Sequence, residues 1–156
     1  MKLLSRNFDE LRGIARDFLN AIQSEEKAVV IALQGELGAG KTTFAQAIGL
    51  ELGIKESMQS PTFVIMKIYE LPVRLSASEF LDAERLRFRN LIHIDAYRLE
   101  KDEELLHLGW EEIINESENL VLIEWPENVA GIIPENAKRI NFEFVDENTR
   151  EVKLEN

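Results

Sequence analysis

The chain has 156 residues and no cysteine, which excludes disulfides, thiolate catalysis and cysteine-ligated zinc. Long apolar runs are missing too: none approaches the roughly 20 residues of a membrane-spanning helix. The first ten residues, Met1 to Glu10, turn acidic before the apolar core of an export signal could form. A cytoplasmic protein without membrane contact is expected. Basic charge is short, with 18 Lys and Arg against 29 Asp and Glu, a net charge of −11. Tight nucleic-acid binding draws on a basic face that neutralises phosphates. No such stripe is visible, so direct tight binding to RNA or DNA is disfavoured. An acidic surface suits docking to a basic protein partner, and equally it keeps a protein soluble. Internal repeats and low-complexity tracts are absent, and the length suits one domain, 1–156, with a full core.

What is present is organised around Gly35-Glu36-Leu37-Gly38-Ala39-Gly40-Lys41-Thr42, which fits the phosphate-binding pattern G-x-x-x-x-G-K-[ST]. Its flanks fit the same reading. The run Ala28 to Leu33 reads as a buried parallel strand. Thr43 to Ile48 has helical composition and spacing, and Gly53 is placed to end that helix. Strand, glycine loop and helix together make an anion nest of inward N–H groups, reinforced by the positive end of the helix dipole. Lys41 would reach the β- and γ-phosphates and the Thr42 hydroxyl would bind Mg²⁺. The residues expected against the nucleotide are Gly35, Leu37, Gly38, Ala39, Gly40, Lys41, Thr42 and Thr43.

Phe8, Leu11, Ala15, Phe18, Leu19 and Ile22 recur at helical spacing, predicting an amphipathic first helix against the sheet. Thr62 to Tyr69 reads as a strand with Pro61 at its start, where the missing N–H does least harm. Residues 71–90 are the least legible. An S-x-x-E capping box, Ser76 to Glu79, suggests a short helix, and Arg74, Arg85, Arg87 and Arg89 concentrate basic charge there. Leu91 to Asp95 and Asn119 to Glu124 are predicted strands, each ending in a carboxylate. Lys101 to Gly109 and Trp110 to Asn115 read as short helices, and Pro126 to Pro134 as a loop. Lys138 to Val145 and Arg150 to Leu154 alternate strictly, the mark of a hairpin solvated on one face.

A glycine loop of this type needs a second group on the metal, usually an acid at the end of an adjacent apolar strand. Asp95 and Glu124 both qualify, and both would project from strand C-terminal ends, where open α/β sheets bind ligands. One would help hold Mg²⁺ and the other orient water or sense the γ-phosphate; the spacing leaves the assignment open. Thr62, in Ser60-Pro61-Thr62, is placed either to touch Mg²⁺ or the γ-phosphate or to sit as a hydroxyl at a strand rim. His93 and His107 have no second ligand at metal spacing, and His93 reads as a structural core residue. Trp125 falls either beside the nucleotide or in ordinary packing. No motif marks the adenine pocket, for which topology offers the chain before the first helix and the loop Pro126 to Pro134.

Five motifs occur in order: Gly35 to Thr43, Ser60 to Phe63 (Ser-Pro-Thr-Phe), His93 to Leu99 (His-Ile-Asp-Ala-Tyr-Arg-Leu), Glu103 to Gly109, and Ile123 to Glu127 (Ile-Glu-Trp-Pro-Glu). Over roughly residues 5 to 145 the chain resembles the TsaE family, also called YjeE. These are bacterial ATPases of tRNA threonylcarbamoyladenosine synthesis. The resemblance implies a small P-loop α/β fold, a mixed and mostly parallel sheet flanked by helices, binding ATP and Mg²⁺. It implies action with two partners, TsaB and TsaD. TsaD transfers threonylcarbamoyl to the adenosine beside the anticodon of tRNAs reading codons that start with A, so tRNA is met only indirectly. It further implies an ATPase that is weak alone and stimulated by the partner complex. By the same resemblance Lys41, Thr42, Asp95 and Glu124 fall on functional positions, and Ser60, Thr62, Tyr97, Arg98 and Trp125 on signature positions. The stretch 71–90 is longer than the connection usual in the family, and its arginines are expected to add a docking surface.

Two other readings compete. A small-molecule or nucleotide kinase would use Arg85, Arg87, Arg89 and Arg98 as a phosphate-clamping lid, although the chain lacks room for an acceptor subdomain. A GTPase switch lacks the Asn-Lys-x-Asp motif that reads guanine.

Overall fold

Residues 1–72 and 88–155 are described by the structure, a computed structural model. The capping box at Ser76 to Glu79, its expected helix, and Arg74, Arg85 and Arg87 lie outside the described residues.

The apolar run before the glycine loop forms strand β2 (Val29–Gln34), buried at every position but the last. A sequence apolar on both faces needs cover on both faces and a neighbour on each side. Strands β5 (Asn119–Glu124) and β6 (Lys138–Phe144) supply the neighbours, both parallel to β2. Strand β4 (Asn90–Asp95) joins β5 in parallel. Antiparallel strands finish the sheet: β3 (Met66–Glu70) on β4 at one edge, β7 (Arg150–Glu155) on β6, then β1 (Lys2–Ser5) on β7 at the other. Among the described residues the order is β1-β7-β6-β2-β5-β4-β3, a mixed sheet with a parallel centre and the expected C-terminal hairpin.

Alternation along each strand sorts side chains into two cores. Val29, Ile31 and Leu33 face helices α1 (Phe8–Ala21) and α2 (Lys41–Glu51). Val30 and Ala32 face helices α3 (Asp102–Leu106) and α4 (Trp110–Asn115) and a 3₁₀ segment, Pro126–Ile132. Trp110 closes that second core and donates its indole N–H to the Ile132 carbonyl at 3.1 Å. Helix α2 ends as its sequence requires. Gly53 sits at φ +86°, and the N–H groups of Gly53 and Ile54 return to the carbonyls of Leu50 and Gly49, the paired bonds of a Schellman stop.

Three segments differ from the sequence reading. Strand β3 starts at Met66, not Thr62, because Ser60 and Thr62 give their hydroxyls to Asp95 and the chain turns there. The Ile65 N–H donates to the Pro61 carbonyl at 2.5 Å, Ile65 takes φ +67°, and Phe63 and Val64 point outward. Pro126 to Ile132 is a 3₁₀ segment, with proline at its first turn, where no N–H is needed. Strand β1 has no counterpart in the reading; its ladder with β7 is what makes it a strand.

Helix α1 is joined to α2 by a buried charge. Glu51, 1% exposed, accepts from Arg12 Nη2 at 2.8 Å and from Arg16 Nε at 2.9 Å. Burial works against the ionised acid, but the two guanidinium groups outweigh it and hold the Glu51 pKa below the ordinary glutamate value. A depressed folded-state pKa gives stability that is present above the unfolded value of about 4.3 and lost as pH falls through the folded one. Glu51→Gln should therefore lower the melting temperature at pH 7 and flatten its fall between neutral and acid pH. An unchanged acid slope in calorimetry would refute this linkage.

Candidate nucleotide-binding site

Strand β2 ends at Gln34, and Gly35 to Gly40 must redirect the chain into α2 at Lys41. Gly35, Gly38 and Gly40 do so with φ of +141°, +78° and +110°, values that side chains disfavour. The first-turn N–H groups of α2 then open towards the loop, where an anion meets the positive helix end.

Lys41 is 5% exposed, and its ammonium turns inward. It donates to the carbonyls of Gly35 and Glu36, the latter at 2.8 Å, and lies 4.1 Å from the centre of the Trp125 ring. Burial pushes its pKa down, and the carboxylates of Glu124, Glu127 and Asp95 pull the other way. The loop thus keeps a cation in a partly desolvated place, where it acts on an anion more strongly than it would in water.

The two acids are brought to one end of the sheet by register. Asp95 of β4 pairs with Glu124 of β5, and Glu124 pairs with Leu33 of β2. The sequence left open which of them meets Thr42. Thr42 Oγ1 donates to Glu124 Oε1 at 2.8 Å. Asp95 serves the neighbouring segment instead. Its Oδ2 accepts from Ser60 Oγ at 2.6 Å and Thr62 Oγ1 at 2.8 Å, and its Oδ1 from the Tyr97 N–H at 3.0 Å. Trp125, at φ +58°, is half-buried, its ring 5.2 Å from that of Tyr97. Its ring packs against the second core and also lines the cavity.

A cavity of about 590 Å³ opens in front of these groups. Leu37, Gly38, Gly40, Lys41, Thr42 and Thr43 line it from the loop, and Ser60, Thr62, Asp95, Tyr97, Glu124 and Trp125 from the strand ends. Gly35 and Ala39 stand behind this wall: Gly35 offers its carbonyl to Lys41, and the buried Ala39 returns its N–H to Glu36. Arg98 is off the wall, its guanidinium 4.6 Å from the Phe63 ring. The far end of the cavity takes in the chain before α1, one of the two places topology offered for the adenine pocket, and none of the other, Pro126 to Pro134. Ser5 to Phe8, Glu147, Asn148 and Arg150 form it. These residues belong to no motif, and only the β1–β7 pairing brings them together.

Comparisons with known proteins agree with this fold. The family model described as threonylcarbamoyl adenosine biosynthesis protein TsaE matches residues 5–152. Among curated relatives, the tRNA threonylcarbamoyladenosine biosynthesis protein TsaE of Treponema pallidum is 34% identical over 83% of this chain and 83% of its own. The protein of the same name from Rickettsia conorii is 36% identical over 91% of this chain and 70% of its own. The crystal structure of Bacillus subtilis YdiB superimposes with a TM-score of 0.71 at 25% identity, covering 99% of this chain and 83% of that one. Glycine loop, buried lysine and both strand-end acids all fall inside the matched span, and the chain belongs to the TsaE family of threonylcarbamoyl adenosine biosynthesis proteins, with a P-loop nucleotide-binding fold.

Proposed function

We propose that this chain, as one ATPase domain, binds ATP with Mg²⁺ and hydrolyses it in support of threonylcarbamoyl transfer. The acceptor is the adenosine next to the anticodon in tRNAs reading codons that start with A. It acts with TsaB and TsaD in the cytoplasm and meets tRNA only through them. The observation that carries this reading is the 2.8 Å hydrogen bond from Thr42 to Glu124 beside the glycine loop. A hydroxyl and a carboxylate are hard oxygen donors of the kind Mg²⁺ takes, and their contact brings two such donors to the mouth of a phosphate nest. The donor set fits the metal. When held there by Thr42 and Glu124, Mg²⁺ would supply positive charge against the negative charge that develops on the phosphates.

The chain's own residues then divide the work. Thr42 and Glu124 hold the metal. Lys41 leaves the Gly35 and Glu36 carbonyls for β- and γ-phosphate oxygens, and the N–H groups of the loop residues that line the cavity, Leu37, Gly38 and Gly40 to Thr43, close around the phosphates. Asp95, tied to Ser60 and Thr62, orients water and couples that segment to the γ-phosphate. Ser5 to Phe8 and Glu147 to Arg150 are left to hold the nucleoside.

The family name supports the pathway, and the net charge of −11 supports a protein partner rather than direct tRNA contact. The kinase reading finds less support, because Arg98, one of its four clamping arginines, is occupied with Phe63.

The test is ATP hydrolysis by the purified protein with and without the TsaB–TsaD pair. Slow turnover alone and strong stimulation by the pair are expected. Vigorous turnover indifferent to the pair would overturn the accessory role, and phosphorylation of a small-molecule acceptor would favour a kinase.

A further inference from the structure

His93 interrupts the apolar middle of β4 and is fully buried. Alternation puts it on the same face as Asp95, and the parallel register carries it to within reach of Glu124 on β5. Its Nε2 lies 2.7 Å from Glu124 Oε2, while its Nδ1 has no hydrogen-bond partner. Buried polar groups are normally satisfied, and a leucine would complete this core without leaving an orphan nitrogen. The hydrogen bonding of the ring is therefore spent on Glu124 alone. A carboxylate oxygen only accepts, so the Nε2 atom carries the hydrogen.

The consequence falls on Glu124. Its side chain has three rotatable bonds, and Thr42 fixes only Oε1. We infer that His93 is a positioning residue for the metal site: its Nε2–H pins Oε2 of Glu124 and thereby presents Oε1, beside Thr42, to Mg²⁺. The inference rests on the Mg-ATP reading of Thr42 and Glu124 proposed above. His93 does not touch the metal itself. Its place is that of the outer partner that orients a ligand, a role whose loss typically weakens metal binding about 10- to 100-fold.

The experiment compares wild type, His93→Leu, His93→Gln and Glu124→Gln. Three quantities are measured: Mn²⁺ affinity of the nucleotide complex by electron paramagnetic resonance, nucleotide affinity in EDTA, and the melting temperature. His93→Leu should weaken Mn²⁺ binding about 10- to 100-fold and leave metal-free nucleotide binding as in wild type. His93→Gln, whose amide N–H reaches in the direction of Nε2, should recover most of the loss. Wild-type Mn²⁺ affinity in His93→Leu, or a folded His93→Gln as weak as His93→Leu, overturns the inference. Glu124→Gln separates the two levels. If it binds Mn²⁺ like wild type, the metal-site reading fails and this inference with it. If it is weakened while His93→Leu is not, the positioning role alone fails. Should His93→Leu not fold, imidazole ¹⁵N shifts of the wild type decide: hydrogen on Nε2 is expected, and an Nε2 without hydrogen refutes the role.

Discussion

Replacing Lys41 with alanine should lower ATP turnover about a thousandfold, to background, with the TsaB–TsaD pair present as well as absent. The size follows from where the ammonium sits. It is 5% exposed, and burial works against its charge while three nearby carboxylates work for it. A cation prepared in this way costs little reorganisation when charge develops on a phosphoryl group, the condition under which electrostatic stabilisation is largest. The fold should survive, because Glu36 is exposed and Gly35 partly so, and water can reach the carbonyls that the lysine leaves. A melting temperature close to wild type would separate lost chemistry from lost structure. Arginine should not rescue. Its planar fork needs more room and a different donor geometry than a point between two carbonyls and the Trp125 ring provides. Retention of a tenth or more of stimulated turnover in Lys41→Ala would refute the lysine's role.

The second large effect is on stability. Gly35→Ala should cost about 3–5 kcal/mol, lowering the melting temperature by about 10 °C or more. A Cβ at this position would stand 2.5 Å from the Phe142 carbonyl oxygen and 3.2 Å from the Phe142 Cβ. The obstacle is backbone of β6, which is held at Phe142 by its ladder to β7 and cannot swing aside as a side chain can. The φ of +141° adds conformational strain. Gly38→Ala is the control that separates these causes. Its φ is +78°, but a Cβ there meets nothing within 4 Å, so only the conformational cost of about 1–2 kcal/mol applies. Denaturant unfolding of both variants measures the difference. Equal losses would show that the contact with β6 relaxes freely.

How much of this was legible beforehand depended on whether local sequence or distant pairing decided each element. Strand β2, the glycine loop and α2 carry their own signals: an apolar run, three glycines, and helical spacing closed by Gly53. Strand β5 was legible to its end residues, since Asn119 to Glu124 is a buried run bounded by polar residues. The start of β3 was not, because Thr62 to Ile65 has strand composition but is turned by hydroxyl bonds to Asp95, 33 residues further on. Strand β propensity is a statement about available neighbours, and there the neighbour was a carboxylate. The same limit applied to the acids. Sequence placed Asp95 and Glu124 at strand ends, but the choice between them at Thr42 is made by inter-strand register. The partnership of His93 with Glu124 is legible only once β4 is known to lie beside β5. Its one local trace was a polar residue in the middle of an apolar strand.

The pairing of β1 with β7 has a consequence for how the protein is made. The Met1 amino group donates to the Leu154 carbonyl, 153 positions away, and the cavity is closed between Ser5 to Phe8 and Glu147 to Arg150. Pairing across such a separation is slow to form and waits for the later partner. During vectorial synthesis the glycine loop emerges early, yet the two segments that wall the far side of its cavity cannot meet until β7 has cleared the ribosome. Nascent chains short of β7 would lack this wall, and shorter ones would also lack the β5 and β6 neighbours that hold β2 and its loop in place, so full-strength nucleotide capture waits until β7 has been made.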